Sequence, residues 1–298
     1  MAEHKMKYQI LQGDNLDLLR TISENSLDGC ITDPPYGMDM EEWDSSVPST
    51  ETWREVLRVL KPGAFCLAFC STDLYHRMAY NVEHAGFRIM DMINWIVTTK
   101  MAKHNRLKPA HEPIVVAQKP FTGTIKDNSE QWGTGMININ GARIPWEGRP
   151  PTGWTKGGHS RRVFGKGDTH SDRIKDGTQD ANPNGRYPSD VMGQFDEPQV
   201  QKYFYAPRVT RKEKGEYNNH PTVKPINLMR YLIRVYTPDQ GRVLDPFNGT
   251  GTTGIASIQE GRTYLGMELS EHYVDITKKR IKEHTETVEN FEKLFDYE

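Results

Sequence analysis

Along the first third of the chain, short apolar runs alternate with segments whose apolar residues recur every three to four positions. Tyr8–Gln12 and Leu27–Thr32 read as strands, with a short helix over Asn15–Arg20 between them and Asp14 placed to cap it. Ser49–Leu60 sets Trp53, Val56, Leu57 and Leu60 at helical spacing, and Lys61-Pro62-Gly63 stops that helix. Ala64–Cys70 is almost continuously apolar, as in a strand buried on both faces. A helix over Thr72–Ala85 and strands over Phe87–Thr98 and Pro113–Gln118 complete this block.

From about Pro120 to Gly215 neither period is sustained, and Gly, Pro and Arg are frequent. A run this long without regular patterning is usually functional or an insertion. Regular patterning resumes at Pro225: helix Ile226–Tyr236, strand Arg242–Asp245, helix Gly251–Glu260, strand Thr263–Glu268 and polar helix Glu271–His284. Alternating strands and helices predict an α/β fold on a mainly parallel sheet. Four segments follow: 1–119, an inserted 120–215, 216–284, and an acidic tail 285–298 that frays in solvent.

Composition narrows the class. The chain has 298 residues, 36% hydrophobic and 26% charged, which suits a globular protein. It holds no apolar run long enough for a membrane helix, and its amino terminus is polar. Cys30, Cys66 and Cys70 lie in apolar runs and read as core residues of a reduced, cytoplasmic protein. His104, His159 and His170 lack partners at ligand spacing, so no metal is expected. The net charge of −2 does not itself point to nucleic acid, and any such partner must be argued from local patches.

Two stretches carry chemistry. The first, Thr32-Asp33-Pro34-Pro35-Tyr36-Gly37, stands at the carboxyl end of a strand. The proline pair forces an extended backbone with no N–H to donate, so its carbonyls can face outward. Asp33 and the Pro34 carbonyl then offer two acceptors, matching the two N–H bonds of an exocyclic amine. Drawing on both hydrogens frees the nitrogen lone pair to attack an electrophilic methyl. Tyr36 offers a flat face for a heterocyclic base.

The second stretch, Arg242–Gly254, reads strand, turn, helix, with Gly249, Gly251 and Gly254 in G-x-G-x-x-G spacing and Glu268 ending the next strand. That arrangement holds a nucleotide cofactor, the acid taking the ribose hydroxyls. A pyrophosphate wants bare N–H groups and positive potential, whereas Asp245 beside the loop repels phosphate and attracts an ammonium. S-adenosylmethionine, with a ribose, an amino group, a sulfonium and no phosphate, fits that demand. No Lys-Ser/Thr follows the glycines, which disfavours ATP.

Together with His220-Pro221-Thr222-Val223-Lys224-Pro225, these stretches resemble the DNA amino-methyltransferases, in the order of their β subgroup. Gly13-Asp14 and Leu60-Lys61-Pro62-Gly63 support the resemblance, which covers about residues 8–120 and 216–284. It implies a Rossmann-like class I methyltransferase sheet, seven-stranded, mostly parallel and circularly reordered, with an inserted target-recognition region. It also implies methyl transfer from S-adenosylmethionine to the amine of a base flipped from duplex DNA. Asp33, Pro34, Pro35 and Tyr36 would hold the amine and base. Asp245, Phe247, Asn248, Gly249, Gly251, Thr252 and Glu268 would hold the cofactor. By resemblance, Thr222 and Lys224 line its methionine end, and Asp14 either reaches its adenine or simply caps a helix. Asp at the first position resembles the N6-adenine members, whereas Ser is commoner among N4-cytosine members. A homodimer and a cognate restriction endonuclease outside this chain, as in restriction–modification, are carried by the resemblance alone.

Between Gly141 and Lys175 lie eight Lys/Arg against three Asp/Glu, interleaved with Trp146 and Trp154. Arg143, Arg161, Arg162 and Lys166 are expected to track DNA phosphates there, and Lys100, Lys103 and Arg106 to grip backbone beside the flipped base. The cluster Arg208–Lys214 is a third basic patch. The competing readings are an amino-methyltransferase of RNA or protein glutamine, a nicotinamide oxidoreductase using the glycine loop, and a DNA-binding module without catalysis.

Overall fold

The computed structural model describes residues 7–37, 46–97, 105, 107–146, 148, 154–155, 178–179, 182–195, 201, 204–206 and 223–295. In chain order the elements are β1 (Tyr8–Gln12), α1 (Asn15–Thr21), β2 (Leu27–Thr32), α2 (Thr50–Val59), β3 (Leu60–Phe69), α3 (Tyr75–His84), β4 (Arg88–Ile96) and β5 (His111–Gln118). Then come α4 (Ile125–Trp132), α5 (Ile139–Ala142), β6 (Trp154–Thr155), β7 (Thr178–Gln179) and β8 (Val191–Met192). The last are α6 (Ile226–Tyr236), β9 (Arg242–Asp245), α7 (Thr252–Gln259), β10 (Thr263–Glu268) and α8 (Glu271–Phe295).

One sheet runs β1-β10-β9-β2-β3-β5-β4-β8, with β6 and β7 forming a separate two-stranded pair. β5 lies antiparallel to both its neighbours, β3 and β4, and every other pairing in the large sheet is parallel. The expected seven strands are present. The eighth is a two-residue edge strand, β8, which the inserted segment adds beside β4. This is the doubly wound α/β architecture expected of the sequence, whose ligand sites lie beyond the carboxyl ends of parallel strands.

Strand alternation sorts the core into two layers. Phe65, Leu67 and Phe69 point to one face, with Ile31, Val243 and the apolar stripe of α6. Ala64, Cys66, Ala68 and Cys70 point to the other, with Cys30, Leu244, Trp53 and Val56. All three cysteines are thus small core residues of one layer, buried and free.

Four sequence expectations shift. The helix over 50–59 does end before Lys61-Pro62-Gly63, but β3 starts at once, at Leu60, and carries those residues as its first turn of strand. Lys61 is held there by an ion pair with Asp28 at 2.6 Å. α3 begins at Tyr75, three residues later than its apolar spacing suggests. Residues 120–142 are not structureless: α4 is locked by a reciprocal capping box between Thr124 and Asp127. Asn128 on α4 donates to the carbonyls of Pro62 (3.0 Å) and Thr134 (2.8 Å), tying that helix to β3. α8 runs past His284, where its sequence pattern ends, to Phe295 over a stretch without Gly or Pro. Among the described residues, no helix is long and apolar enough to cross a membrane.

Candidate active site

β2 and β9 are parallel neighbours, with Gly29 beside Val243 and Cys30 beside Leu244. Both strands therefore end at the same edge, and the two chemistry-bearing stretches meet there although more than two hundred residues separate them. The Thr32 hydroxyl donates to Asp245 Oδ1 at 2.6 Å, joining the residue before Asp33 to the first residue of the glycine loop. Asp245 Oδ1 also accepts from the Phe247 N–H at 3.1 Å, and Oδ2 accepts from the Thr253 hydroxyl at 2.6 Å. Burial pushes the Asp245 carboxyl up to about 6, against the opposing pull of those donors and with a further push from Asp33. With its oxygens turned onto its own loop, Asp245 shapes the turn and acts on a ligand through its field.

Glu268 ends β10 and closes the loop from the other side. Its Oε2 accepts the Gly249 N–H at 2.8 Å and its Oε1 accepts the Ser270 N–H at 2.9 Å. Burial raises the Glu268 carboxyl from its ordinary range despite those N–H donors. Asn248 is buried and spent inward: its amide donates to Thr277 Oγ1 (2.9 Å) and accepts from the Tyr264 hydroxyl (2.8 Å). Gly251 sits at φ +80°, and a Cβ there would lie 2.5 Å from Thr277 Cγ2. A Cβ on Gly254 would lie 2.7 Å from Tyr264 Cε1, so the third glycine lets α7 lie against β10. Beneath the loop the fully buried Arg280 reaches the Thr250 carbonyl and, at 3.2 Å, the Thr252 hydroxyl. Phe247 is half-buried, its ring 6.4 Å from that of Trp53.

This loop suits a cationic cofactor better than a pyrophosphate. The Gly249 N–H is committed to Glu268 and the Gly251 N–H to the Asn248 carbonyl at 2.9 Å. The glycine N–H groups a phosphate would use are therefore occupied, and Asp33, Asp245 and Glu268 give the edge a negative potential. Asp14 caps α1, accepting from the Leu16 and Asp17 N–H groups, and the Gly13 N–H donates to the Glu268 carbonyl at 2.9 Å. Asp14 thus caps α1 from an exposed position one strand away from Glu268.

The Asp33–Tyr36 stretch has a tighter network than its sequence shows. Asp33 Oδ1 accepts the Tyr36 hydroxyl at 2.6 Å, and Oδ2 accepts Lys224 Nζ at 2.5 Å. Lys224, expected by resemblance at the cofactor's methionine end, is found on Asp33, buried, 5.3 Å from the Tyr36 ring centroid and 5.1 Å from that of Phe69. Burial alone would lower its ammonium, but Asp33 and then Glu112 outweigh it, and the group is raised. Burial, then Asp33 and Glu112, push the Tyr36 phenol well above its ordinary value, so it stays a hydrogen-bond donor. Glu112, unremarked in the sequence, lies 3.5 Å from Lys224 Nζ and 3.4 Å from the Tyr36 hydroxyl.

The chain is similar to known proteins in sequence and in fold. A family model described as DNA methylase, of the N6/N4 methyltransferase class, matches residues 27–279. The chain belongs to this family. The Type II methyltransferase M2.DpnII of Streptococcus pneumoniae is 32% identical over 307 residues, covering 95% of this chain and 93% of the relative. The crystal structure of the M1.HpyAVI–SAM complex has a TM-score of 0.51 at 20% identity, covering 92% of this chain and 99% of that one. PvuII DNA methyltransferase, cytosine-N4-specific, has a TM-score of 0.59 at 16% identity, covering 94% and 90%. The methylase is an S-adenosylmethionine-dependent enzyme, and the nicotinamide reading of its glycine loop is set aside.

Of the residues expected to touch DNA, the methylase structure describes Arg143, while Lys100, Lys103, Arg106, Arg161, Arg162 and Lys166 lie outside the described residues, as do Thr222 and Arg208–Lys214. Arg143 donates to the Gly185 carbonyl at 3.1 Å and to Asn140 Oδ1 at 3.1 Å, and its guanidinium is 5.8 Å from the ring of Tyr187. Next to it Arg186 stacks 4.3 Å over Trp146, whose indole N–H donates to the Asn182 carbonyl. Neither Arg186 nor Tyr187 stood out in the sequence. The signal was a basic–aromatic dipeptide just beyond the basic run.

Proposed function

We propose that this methylase transfers a methyl group to the N6 amine of an adenine flipped out of duplex DNA at a specific sequence. The observation that carries the reading is the position of Asp33, hydrogen-bonded to Tyr36 and Lys224 at a strand end stapled to the glycine loop through Thr32 and Asp245. When bound, S-adenosylmethionine supplies an electrophilic methyl on a positively charged sulfur. Glu268 is the residue for its ribose, with Asp14, Thr222, Phe247, Gly249, Gly251 and Thr252 around it, and Asp245 and Asn248 holding the turn in shape.

Asp33 and the Pro34 carbonyl accept the two N–H bonds of the amine and aim its lone pair at the methyl carbon. Asp33 would take the surplus proton left on the nitrogen once the methyl that bound S-adenosylmethionine would supply has been accepted. Tyr36, its hydroxyl tied down, presents its ring to the base, a stacking contact worth roughly 1–3 kcal/mol. Residues 120–215 form the target-recognition region, with Arg143 and the basic residues near it on the phosphates.

Adenine is favoured over cytosine because Asp, rather than Ser, opens the tetrapeptide. Single-molecule sequencing of DNA from cells expressing the chain tests this: N6-methyladenine at one motif supports it, and N4-methylcytosine overturns the choice of base. A homodimer, a cytoplasmic location and a separate cognate restriction endonuclease complete the reading. Light scattering on the purified chain tests the first, and a single-copy mass excludes it.

A further inference from the structure

Asp33 faces a problem of competing partners. Both of its carboxylate oxygens already accept strong donors, the Tyr36 hydroxyl on Oδ1 at 2.6 Å and the Lys224 ammonium on Oδ2 at 2.5 Å. Each oxygen can still accept a second hydrogen bond, but an incoming amine would compete with both donors for the carboxylate's charge. Lys224 cannot simply let go, since its side chain is only 8% exposed and a buried ammonium without a carboxylate is costly. Tyr36 has a single O–H and can satisfy one acceptor at a time.

Glu112 answers both constraints with one atom. Its Oε2 is 3.5 Å from Lys224 Nζ and 3.4 Å from the Tyr36 hydroxyl, each a little beyond a strong hydrogen bond. A movement of under about 1 Å would hand either donor across. The topology explains its presence. Within the large sheet β5 is the strand that runs against its neighbours, with Ile114 opposite Phe69 and the Pro113 carbonyl accepting the Cys70 N–H. Its first residues, not its last, therefore reach the catalytic edge.

Resting on the proposed amine transfer, we infer that Glu112 is a positioning residue: it takes Lys224 and the Tyr36 hydroxyl from Asp33 when Asp33 engages the amine of the flipped base. The groups facing it are Asp33, Tyr36, Cys70 and Lys224.

The test is a double-mutant cycle on the full chain with duplex DNA, reading kcat, KM for DNA and S-adenosylmethionine affinity. Glu112→Gln keeps an acceptor for the Tyr36 hydroxyl but has no charge for the ammonium. Its kcat is expected to fall roughly 10- to 100-fold, the scale of one charge-assisted hydrogen bond, with KM and cofactor affinity unchanged within about twofold. Adding Glu112→Gln to Lys224→Gln is expected to cost under about threefold more, because no ammonium remains to be received. Unchanged kcat in Glu112→Gln, losses that multiply in the double variant, or a loss confined to KM or cofactor binding would each overturn the inference. Absence of methyl transfer by the unmodified chain would instead overturn the proposed function beneath it.

Discussion

The Thr32 hydroxyl and the Asp245 carboxylate meet at 2.6 Å across 213 residues of chain. Each stands at the end of a strand, one beside the Asp33–Tyr36 tetrapeptide and one beside the glycine loop. This buried hydrogen bond adds to the pairing of β2 with β9 in holding the two strand ends together. Thr32→Val keeps the shape and removes the donor from a carboxylate that is 2% exposed. The expected cost is about 1–3 kcal/mol in urea unfolding at pH 8, with weaker cofactor binding, whereas Thr32→Ser keeps both. Equal stability of the valine variant and the unmodified chain would remove this bond from the account.

Asp245 links stability to pH. Its folded value of about 6 lies above its ordinary 3.8, so between those values the folded state holds a proton that the unfolded state has lost. The stability this contributes is full below pH 4 and is lost as pH rises through about 6, an effect of about 3 kcal/mol. Asp245→Asn does not titrate. The stability of the unmodified chain relative to this variant is expected to fall by that amount between pH 4 and 7, measured by denaturant unfolding at each pH. A difference that stays flat, or rises, contradicts the burial of this carboxyl.

Gly251 answers to Thr277. An alanine there places its Cβ 2.5 Å from Thr277 Cγ2 at a φ of +80°, so Gly251→Ala should destabilise the fold by more than about 1 kcal/mol and blunt cofactor binding. Thr277→Ser removes the clashing methyl and keeps the hydroxyl that receives Asn248. It is expected to restore part of the loss, in a thermal melt and in cofactor titration alike. No recovery at all would place the whole cost in the backbone angle.

Much of the fold was legible because strand ends and glycine turns are local signals. Asp33 through Tyr36 and Gly249 through Gly254 are each contiguous, and their residue types carry their own geometry. The contact of Lys224 with Asp33 was not legible because the two are 191 residues apart and no spacing rule reaches that far. Glu112 was passed over because parallel strands present their carboxyl ends to a ligand, and β5 alone is reversed. A charged residue opening an otherwise apolar strand was the available hint. α4 is short and faces solvent over most of its length, so it shows no apolar stripe, yet the Thr124-x-x-Asp127 capping signature was there to be read. The start of β3 was hidden by Pro62 and Gly63, residues that usually end structure but here sit against Asn128 of α4 and Thr134 just beyond it.

Removing Asp33 should do more than stop catalysis. Asp33→Ala leaves the buried Lys224 ammonium with Glu112 at 3.5 Å as its nearest carboxylate. A loss of roughly 1–3 kcal/mol in stability is expected, smaller in Asp33→Asn, and recovered when Lys224→Met is added. A melting temperature for Asp33→Ala equal to that of the unmodified chain would show that Lys224 does not depend on this pair.

The most direct test follows labelled methyl from S-adenosylmethionine into duplex DNA with the unmodified chain and with Asp33→Asn, cofactor affinity being measured on both. The expected result is transfer by the unmodified chain, a fall of at least about 10²-fold in Asp33→Asn, and equal cofactor affinity in the two. Transfer by Asp33→Asn at the unmodified rate would contradict the role of this carboxylate at the amine.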